Sequence, residues 1–319
     1  MQIDGNFSYL YLIILLNIYM IILIVNNKPY HYEIIESVIN KYYNILNIRK
    51  QRRTPRFFLE IKDNAEFSNY IKNKYTNIEI NKHMFFGYDY LINCSIYSSD
   101  IDMVLRSIRG QTSEKNHYIC HDVTDDMKLL KNVHFVTPLL NNKFFYCDVL
   151  PYYKDTKIKT DIPIFIIQGE LKMYRRDYAL LKILLQNTYD YPYKFLIIGK
   201  GPPCEELMEL SNKYSDKLEM KCDLTFLDYH KEFLSCYCLF PCISMETNSM
   251  YYKNKLTSSI NYAKAYNLPI LIDESLQSIY KCKKAFVYKN KGDMIKCFTK
   301  SLHDFYHRSL FSCFTCSKV

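Results

Sequence analysis

The chain has 319 residues, 49% hydrophobic and 24% charged, a balance that excludes an intrinsically disordered polymer. Its 12 cysteines lack secreted-type spacing and so give no disulfide scaffold. A formal net charge of +9 suits an anionic small ligand or an anionic membrane surface. The basic residues are scattered and not interleaved with aromatics in any repeat, which argues against nucleic acid as a partner.

The apolar run Phe7–Val25, "FSYLYLIILLNIYMIILIV", carries no charge and has only Ser8 and Asn17 as clearly polar residues. Its length and composition predict a single membrane-spanning helix, with residues 1–27 as the anchor. A buried core helix is the bland alternative. Lysines and arginines after the run, with only Asp4 before it, lean the body to the cytosolic side, a lumenal body being the alternative. Residues 28–54 are polar, basic and helix-compatible, and read as a stem.

From residue 55 the pattern changes to short apolar runs separated by polar, helix-compatible stretches. Strands are predicted at Arg56–Ile61, Tyr88–Ser95, His117–Val123, Val133–Leu139 and Phe144–Leu150, with a helix over 63–75. The alternation indicates a Rossmann-like layer over 55–155. A polar break with a proline at each end, Pro151–Pro163, marks the domain boundary. A second α/β series over 156–319 follows. Strands are read at "IFIIQG", "YKFLIIGKGP", "LTFLDYH", "YCLFPCIS", "LPILID" and "AFVYKN", with helices from Arg175 to Asn187 and over "CEELMELSNKYS". A closing helix starts at Gly292.

Three of only seven glycines, Gly169, Gly199 and Gly201, fall where a strand of the second domain hands over to a helix. Glycine there lets a phosphate approach the backbone, and the following helix N-terminus favours an anion. Lys200 stands between the last two. Arg175 and Arg176 follow Gly169 by six and seven residues and offer guanidinium forks suited to phosphate. Lys255 and the hydroxyls of Thr257, Ser258 and Ser259 precede a predicted helix. Capping explains one hydroxyl, whereas a lysine with three hydroxyls points to a phosphate. Cys236, Cys238 and Cys242 read as buried thiols, and Cys313 with Cys316 lacks the second pair a zinc site requires, so no metal site is predicted. Asp100 and Asp102 form an Asp-x-Asp that could hold a divalent cation against a diphosphate.

The stretch from Ile164 to about Cys297 resembles the donor domain of GT-B glycosyltransferases, most like retaining family 4. The resemblance is carried in order by "QGELKMYRRD", "IIGKGP", "LDYHKEF", "LFPCISMET" and "NLPILID". In the first domain, "HYICHDV" is similar to the strand whose terminal histidine faces the donor. The resemblance implies two Rossmann-like α/β domains behind the anchor, and transfer of a sugar from a nucleotide-sugar such as a UDP- or GDP-sugar to a glycan, lipid or protein acceptor, without an obligatory metal. It implies roles in catalysis for His121, Asp122 and Glu246. It also implies donor contacts for Gly169, Arg175, Arg176, Gly199, Lys200, Gly201, Lys255, Thr257, Ser258 and Ser259. Two positions depart from the pattern: Glu170 stands where an arginine is usual, and Asn254 where a second glutamate is usual. The alternatives are a catalytically degenerate GT-B scaffold and a metal-dependent GT-A enzyme using Asp100 and Asp102.

Overall fold

A computed structural model of the chain describes residues 21–28, 31–48, 56–62, 64–75, 77–81, 88–108, 115–136, 149, 151–153 and 157–314. The chain divides into two units: residues 1–150 with 254–256, and residues 151–253 with 257–319.

The first unit is built on a six-stranded sheet of parallel strands. Its strands are β1 (Ile21–Asn26), β2 (Arg56–Ile61), β3 (Ile78–Ile80), β4 (Tyr90–Ile96), β5 (Asn116–Cys120) and β6 (Val133–Phe135), in the order β3-β2-β1-β4-β5-β6. Its described helices are α1 (Tyr32–Ile48), α2 (Ala65–Lys74), α3 (Ile101–Ile108) and α4 (Asp125–Leu129).

The end of the predicted anchor is therefore a strand. β1 pairs in parallel with β2 on one side and β4 on the other, and Ile22, Leu23 and Ile24 are buried. A central parallel strand covered on both faces reads as a continuous apolar run, the same signal as a membrane helix. Among the described residues no helix is long and apolar enough to cross a membrane, and Phe7–Met20 lies outside them. The predicted stem is corrected with it. α1 buries Ile34, Ile35, Val38 and Ile39, a one-faced helical spacing, so it belongs to the core layer. α1 is tied to α2 through the buried Glu36, which accepts from Lys74 Nζ at 2.6 Å and from the Tyr70 hydroxyl. The predicted strand Phe144–Leu150 falls almost wholly outside the described residues.

The second unit repeats the plan. Its strands are β7 (Ile164–Glu170), β8 (Lys194–Lys200), β9 (Leu218–Cys222), β10 (Cys238–Leu239), β11 (Ile270–Asp273) and β12 (Ala285–Tyr288), ordered β12-β11-β10-β7-β8-β9. Its helices are α5 (Tyr178–Gln186), α6 (Glu205–Lys213), α7 (Phe226–Glu232), α8 (Met245–Asn248), α9 (Met250–Lys253), α10 (Ser258–Ala265), α11 (Glu274–Tyr280) and α12 (Lys291–Phe314). "LTFLDYH", predicted as a strand, instead caps and starts α7, with Thr225 Oγ1 accepting from Asp228 N at 3.2 Å. α12 covers the sheet with Met294, Phe298 and Leu302, four residues apart, and Phe298 stacks on Phe195 with ring centroids 5.5 Å apart.

In both sheets the first strand lies between the second and fourth, which places a topological switch point beside β1 and beside β7. Ligands of open α/β sheets bind at the carboxyl ends of the strands at such points.

Because β1 bridges β2 and β4, a chain beginning at Arg53 lacks the middle of its first sheet. It is expected to lose the near-ultraviolet circular dichroism and amide protection of the first unit while keeping those of the second. Full native signals from both units in that truncation would contradict the placement of β1.

Candidate functional site

At the carboxyl end of β7 the chain reads Gln168-Gly169-Glu170. Gly169 has φ +143°, and a Cβ there would fall 2.0 Å from Arg176 Nη2. Arg176 is only 5% exposed. Its Nε donates to Gln168 O at 3.1 Å and its Nη2 to the same oxygen, its Nη1 to Arg175 O at 2.6 Å, and its Nη2 to Ser259 Oγ at 3.4 Å. The guanidinium predicted to face a phosphate is thus engaged by the protein's own backbone and a serine. Gly199 is a close-approach position of another kind, since a Cβ there would sit 2.1 Å from Gly169 O. Gly201 has φ +84° and open space around it, its N–H donates to Asp223 Oδ1 at 2.9 Å, and Lys200 is exposed.

Gln168 organises the opposite wall. Its Nε2 donates to Ser259 Oγ at 2.9 Å and to Ser258 Oγ at 3.3 Å, and its Oε1 accepts from the Tyr229 hydroxyl at 2.7 Å. Two of the three predicted hydroxyls are therefore fixed at the end of β7, which places the N-terminus of α10 at the switch point. The third differs. Thr257 is the N-cap of α10, yet its side chain makes no capping bond, and its Oγ1 is buried without a hydrogen-bond partner. Its N–H donates to the Tyr280 hydroxyl at 3.1 Å. The first N–H groups of a helix have no intrahelical acceptor, so an uncapped α10 presents donors and positive partial charge there.

Glu170 pairs with Lys172 at 2.7 Å and with Arg175 at 3.0 Å. Partial burial works against the charge of its carboxyl, but these two cations outweigh it and hold the group below the ordinary glutamate range. Burial likewise opposes the Arg175 charge, and Tyr251 and Glu170 push its pKa up regardless. Glu246 is exposed in the first turn of α8.

In the first unit, His121 follows β5 and is 8% exposed. Its Nε2 lies 3.1 Å from Cys94 O, and a carbonyl only accepts, so that nitrogen carries the proton. The ring stacks on His31 at 3.7 Å and on Tyr97 at 5.5 Å. His31 Nε2 is 2.9 Å from the Tyr97 hydroxyl and its Nδ1 3.3 Å from Glu33 Oε1. Burial, then the charges of His31 and Lys255, drive the His121 pKa well below 6.5 against the Cys94 hydrogen bond, so the ring is neutral at pH 7. Asp122 forms an antiparallel bridge with Lys255, and Val123 N donates to Asn254 O at 3.0 Å. Lys255 is thereby held in the first unit, although it precedes Thr257 by two residues in the chain.

Asp100 Oδ2 accepts from Tyr97 N at 2.8 Å, and Asp102 is exposed on α3. Among the described residues no group of three or more histidine, cysteine, aspartate or glutamate side chains is placed to hold a metal ion. Nothing in the fold favours the Asp-x-Asp alternative. Sequence reasoning missed the residues that hold the predicted ones in place: Gln168, Tyr229 and Tyr280 in the second unit, and His31 and Tyr97 in the first. "NNKPYH" could have been found only by recognising β1, since its value lies in following that strand.

No protein-family profile and no curated protein sequence matches the chain. Solved structures do. AviGT4, a glycosyltransferase involved in avilamycin A biosynthesis, is 8% identical, with 89% of this chain and 88% of that one covered and a TM-score of 0.53. A glycosyltransferase from Rickettsia africae is 10% identical over 89% of each chain, also at 0.53. A protein assigned as a UDP-N-acetylglucosamine 2-epimerase from Listeria monocytogenes is 8% identical over 89% and 88%, at 0.51. The chain has the two-unit α/β architecture of the GT-B fold. A fold shared at this identity hosts more than one reaction, so the reaction has to be argued from the site.

Two measurements check this geometry. Gly169→Ala displaces a buried, hydrogen-bonded guanidinium and is expected to cost about 3 kcal/mol or more, whereas Gly201→Ala meets only its positive φ, about 1–2 kcal/mol; equal costs in urea unfolding would refute the Arg176 packing. The second concerns pH. Burial lowers His117 to about 4, and His121 is lowered as well. Both bind protons more weakly folded than unfolded, so their contribution is full above about pH 6.5 and is lost as pH falls towards 4. Each adds a slope of up to about 1.4 kcal/mol per pH unit in that window, and His117→Gln should remove about half of it. An unchanged slope would show that His117 is not buried in its neutral form.

Proposed function

We propose that the chain is a nucleotide-sugar-dependent glycosyltransferase, with the donor's diphosphate at the N-terminus of α10. The observation that carries this proposal is Thr257: a hydroxyl on a residue 1% exposed, at a helix N-cap, with neither a capping bond nor any other partner. Leaving such a group unmet costs about 1–3 kcal/mol, and a phosphate oxygen would satisfy it together with the free N–H groups beside it. Two of the solved structures that share this fold are glycosyltransferases, and a third carries the name of a nucleotide-sugar epimerase.

On this proposal Arg175 and the α10 N-terminus stabilise charge as the diphosphate departs, and Gly201, with open space around it, allows close approach to the backbone, whereas the space beside Gly169 and Gly199 is filled by the protein itself. The first unit takes the acceptor. There the neutral His121, with Asp122 beside it, has Nδ1 left to accept from a sugar hydroxyl, its Nε2–H being given to Cys94 O. Glu246, exposed on α8, is assigned to the donor sugar by family resemblance, as is retention of configuration. The sugar, the base and the acceptor are left to the pocket's shape.

A second proposal, a nucleotide-binding protein without turnover, is favoured by Glu170, which occupies the cations of Lys172 and Arg175. Release of nucleoside diphosphate from a panel of nucleotide-sugars, with and without EDTA, separates the two. Nucleotide binding without release would identify the second, and appearance of an epimerised nucleotide-sugar would assign a different reaction to the same fold.

Thr257→Val is expected to weaken binding of UDP, GDP or ADP, whichever binds, by about tenfold or more, near 1.4 kcal/mol. The same substitution should leave the melting temperature unchanged or higher, because it removes an unmet buried hydroxyl. Full affinity in the folded variant would take the diphosphate away from α10.

A further inference from the structure

The switch point of the first sheet carries a second group of residues, of which the proposal above uses only His121. Lys28 follows β1, His31 opens α1, Tyr97 follows β4 and His121 follows β5. Lys28 Nζ lies 5.7 Å and Lys255 Nζ 5.9 Å from the centre of the same Tyr97 ring. His31 holds the hydroxyl of that ring at 2.9 Å.

Two ammonium groups on one aromatic ring repel each other, and among the described residues neither lysine makes an ion pair. The carboxylates at hand are directed elsewhere. Glu33 faces His31 Nδ1, Asp100 accepts from Tyr97 N, and Asp122 lies against the Cys120 thiol, its Oδ1 3.6 Å from the sulfur. A half-buried Tyr97 ring, backed by the buried His121 imidazole and edged by two unneutralised cations near the carboxyl ends of parallel strands, fits a ligand with a ring and a compact double negative charge. A phosphate monoester on a sugar has both.

Resting on the glycosyltransferase proposal, we infer that the acceptor is a phosphorylated sugar or polyol, whose phosphate sits between Lys28 and Lys255 and whose ring lies against Tyr97. A carboxylate acceptor would neutralise only one of the two lysines. The phosphate could belong to a free sugar phosphate or to a lipid headgroup, and the chemistry of recognition is the same for both.

The test uses the full chain and calorimetric titration at low salt with glucose 6-phosphate, with glucose, and with vesicles of phosphatidylcholine with or without phosphatidic acid. Glucose 6-phosphate or the phosphatidic acid vesicles are expected to bind, and glucose and pure phosphatidylcholine not to. Which of the two binds identifies the source of the phosphate. Lys28→Ala should weaken that binding at least tenfold, Lys28→Arg should largely restore it, and UDP or GDP affinity should stay within about threefold in both. The last measurement also shows that the variants fold. No binding of either phosphate ligand, or binding indifferent to Lys28→Ala, overturns the inference. So does a parallel loss of nucleotide affinity, which would make the cluster part of the donor site. If no nucleotide binds the wild-type chain while the phosphate ligand still depends on Lys28, the phosphate site stands and the glycosyltransferase proposal falls.

Discussion

The second unit depends on one buried guanidinium. Arg176 is withdrawn from water at the end of β7, a position tolerable only because its donors are met by Gln168 O, Arg175 O and Ser259 Oγ. Gly169 exists to make room for it, since any side chain there would collide with the guanidinium. The packing fixes the carbonyl of Gln168, and the Gln168 side chain in turn fixes Ser258 and Ser259, the first two residues of α10. The N-terminus of that helix is thereby held at the switch point by contacts that leave its Thr257 hydroxyl unmet. Those bonds are made within the protein, so this helix end is ordered before anything binds, which limits the ordering cost of any binding there.

The two units share strand order but differ in what they present at the switch point. The second offers helix-terminal N–H groups and a hydroxyl, with its nearest charged side chains already paired in the Glu170–Lys172–Arg175 cluster. The first offers the Tyr97 ring with two lysines over it, and a histidine kept neutral by burial and by neighbouring positive groups. A neutral imidazole beside cations is a consequence of packing: exposed to water, the same ring would titrate near pH 6.5. The segment 254–256 belongs to the first unit, while Lys253 and Thr257 on either side belong to the second. Lys255 is therefore placed by its pairing with Asp122.

The alternation of apolar runs and helical stretches after residue 55, the polar break near residue 151 and the series of strand-end glycines were legible in the sequence, because parallel α/β layers impose that pattern locally. The glycine-bearing ends of β7 and β8 and the start of α10 could be read for the same reason: backbone constraints at turns and caps select particular residues whatever surrounds them. β1 could not be read, since a strand buried on both faces and a membrane helix place the same demand on side chains, and only its pairing with β2 and β4 separates them. The division of labour among the charged residues was equally hidden. Arg175 and Arg176 are neighbours of the same type, yet one is half-exposed and ion-paired while the other is sealed under a glycine. Which of them a ligand can reach is decided by the carbonyls and hydroxyls that tertiary folding brings within 3.5 Å of each, and those come from residues up to 83 positions away.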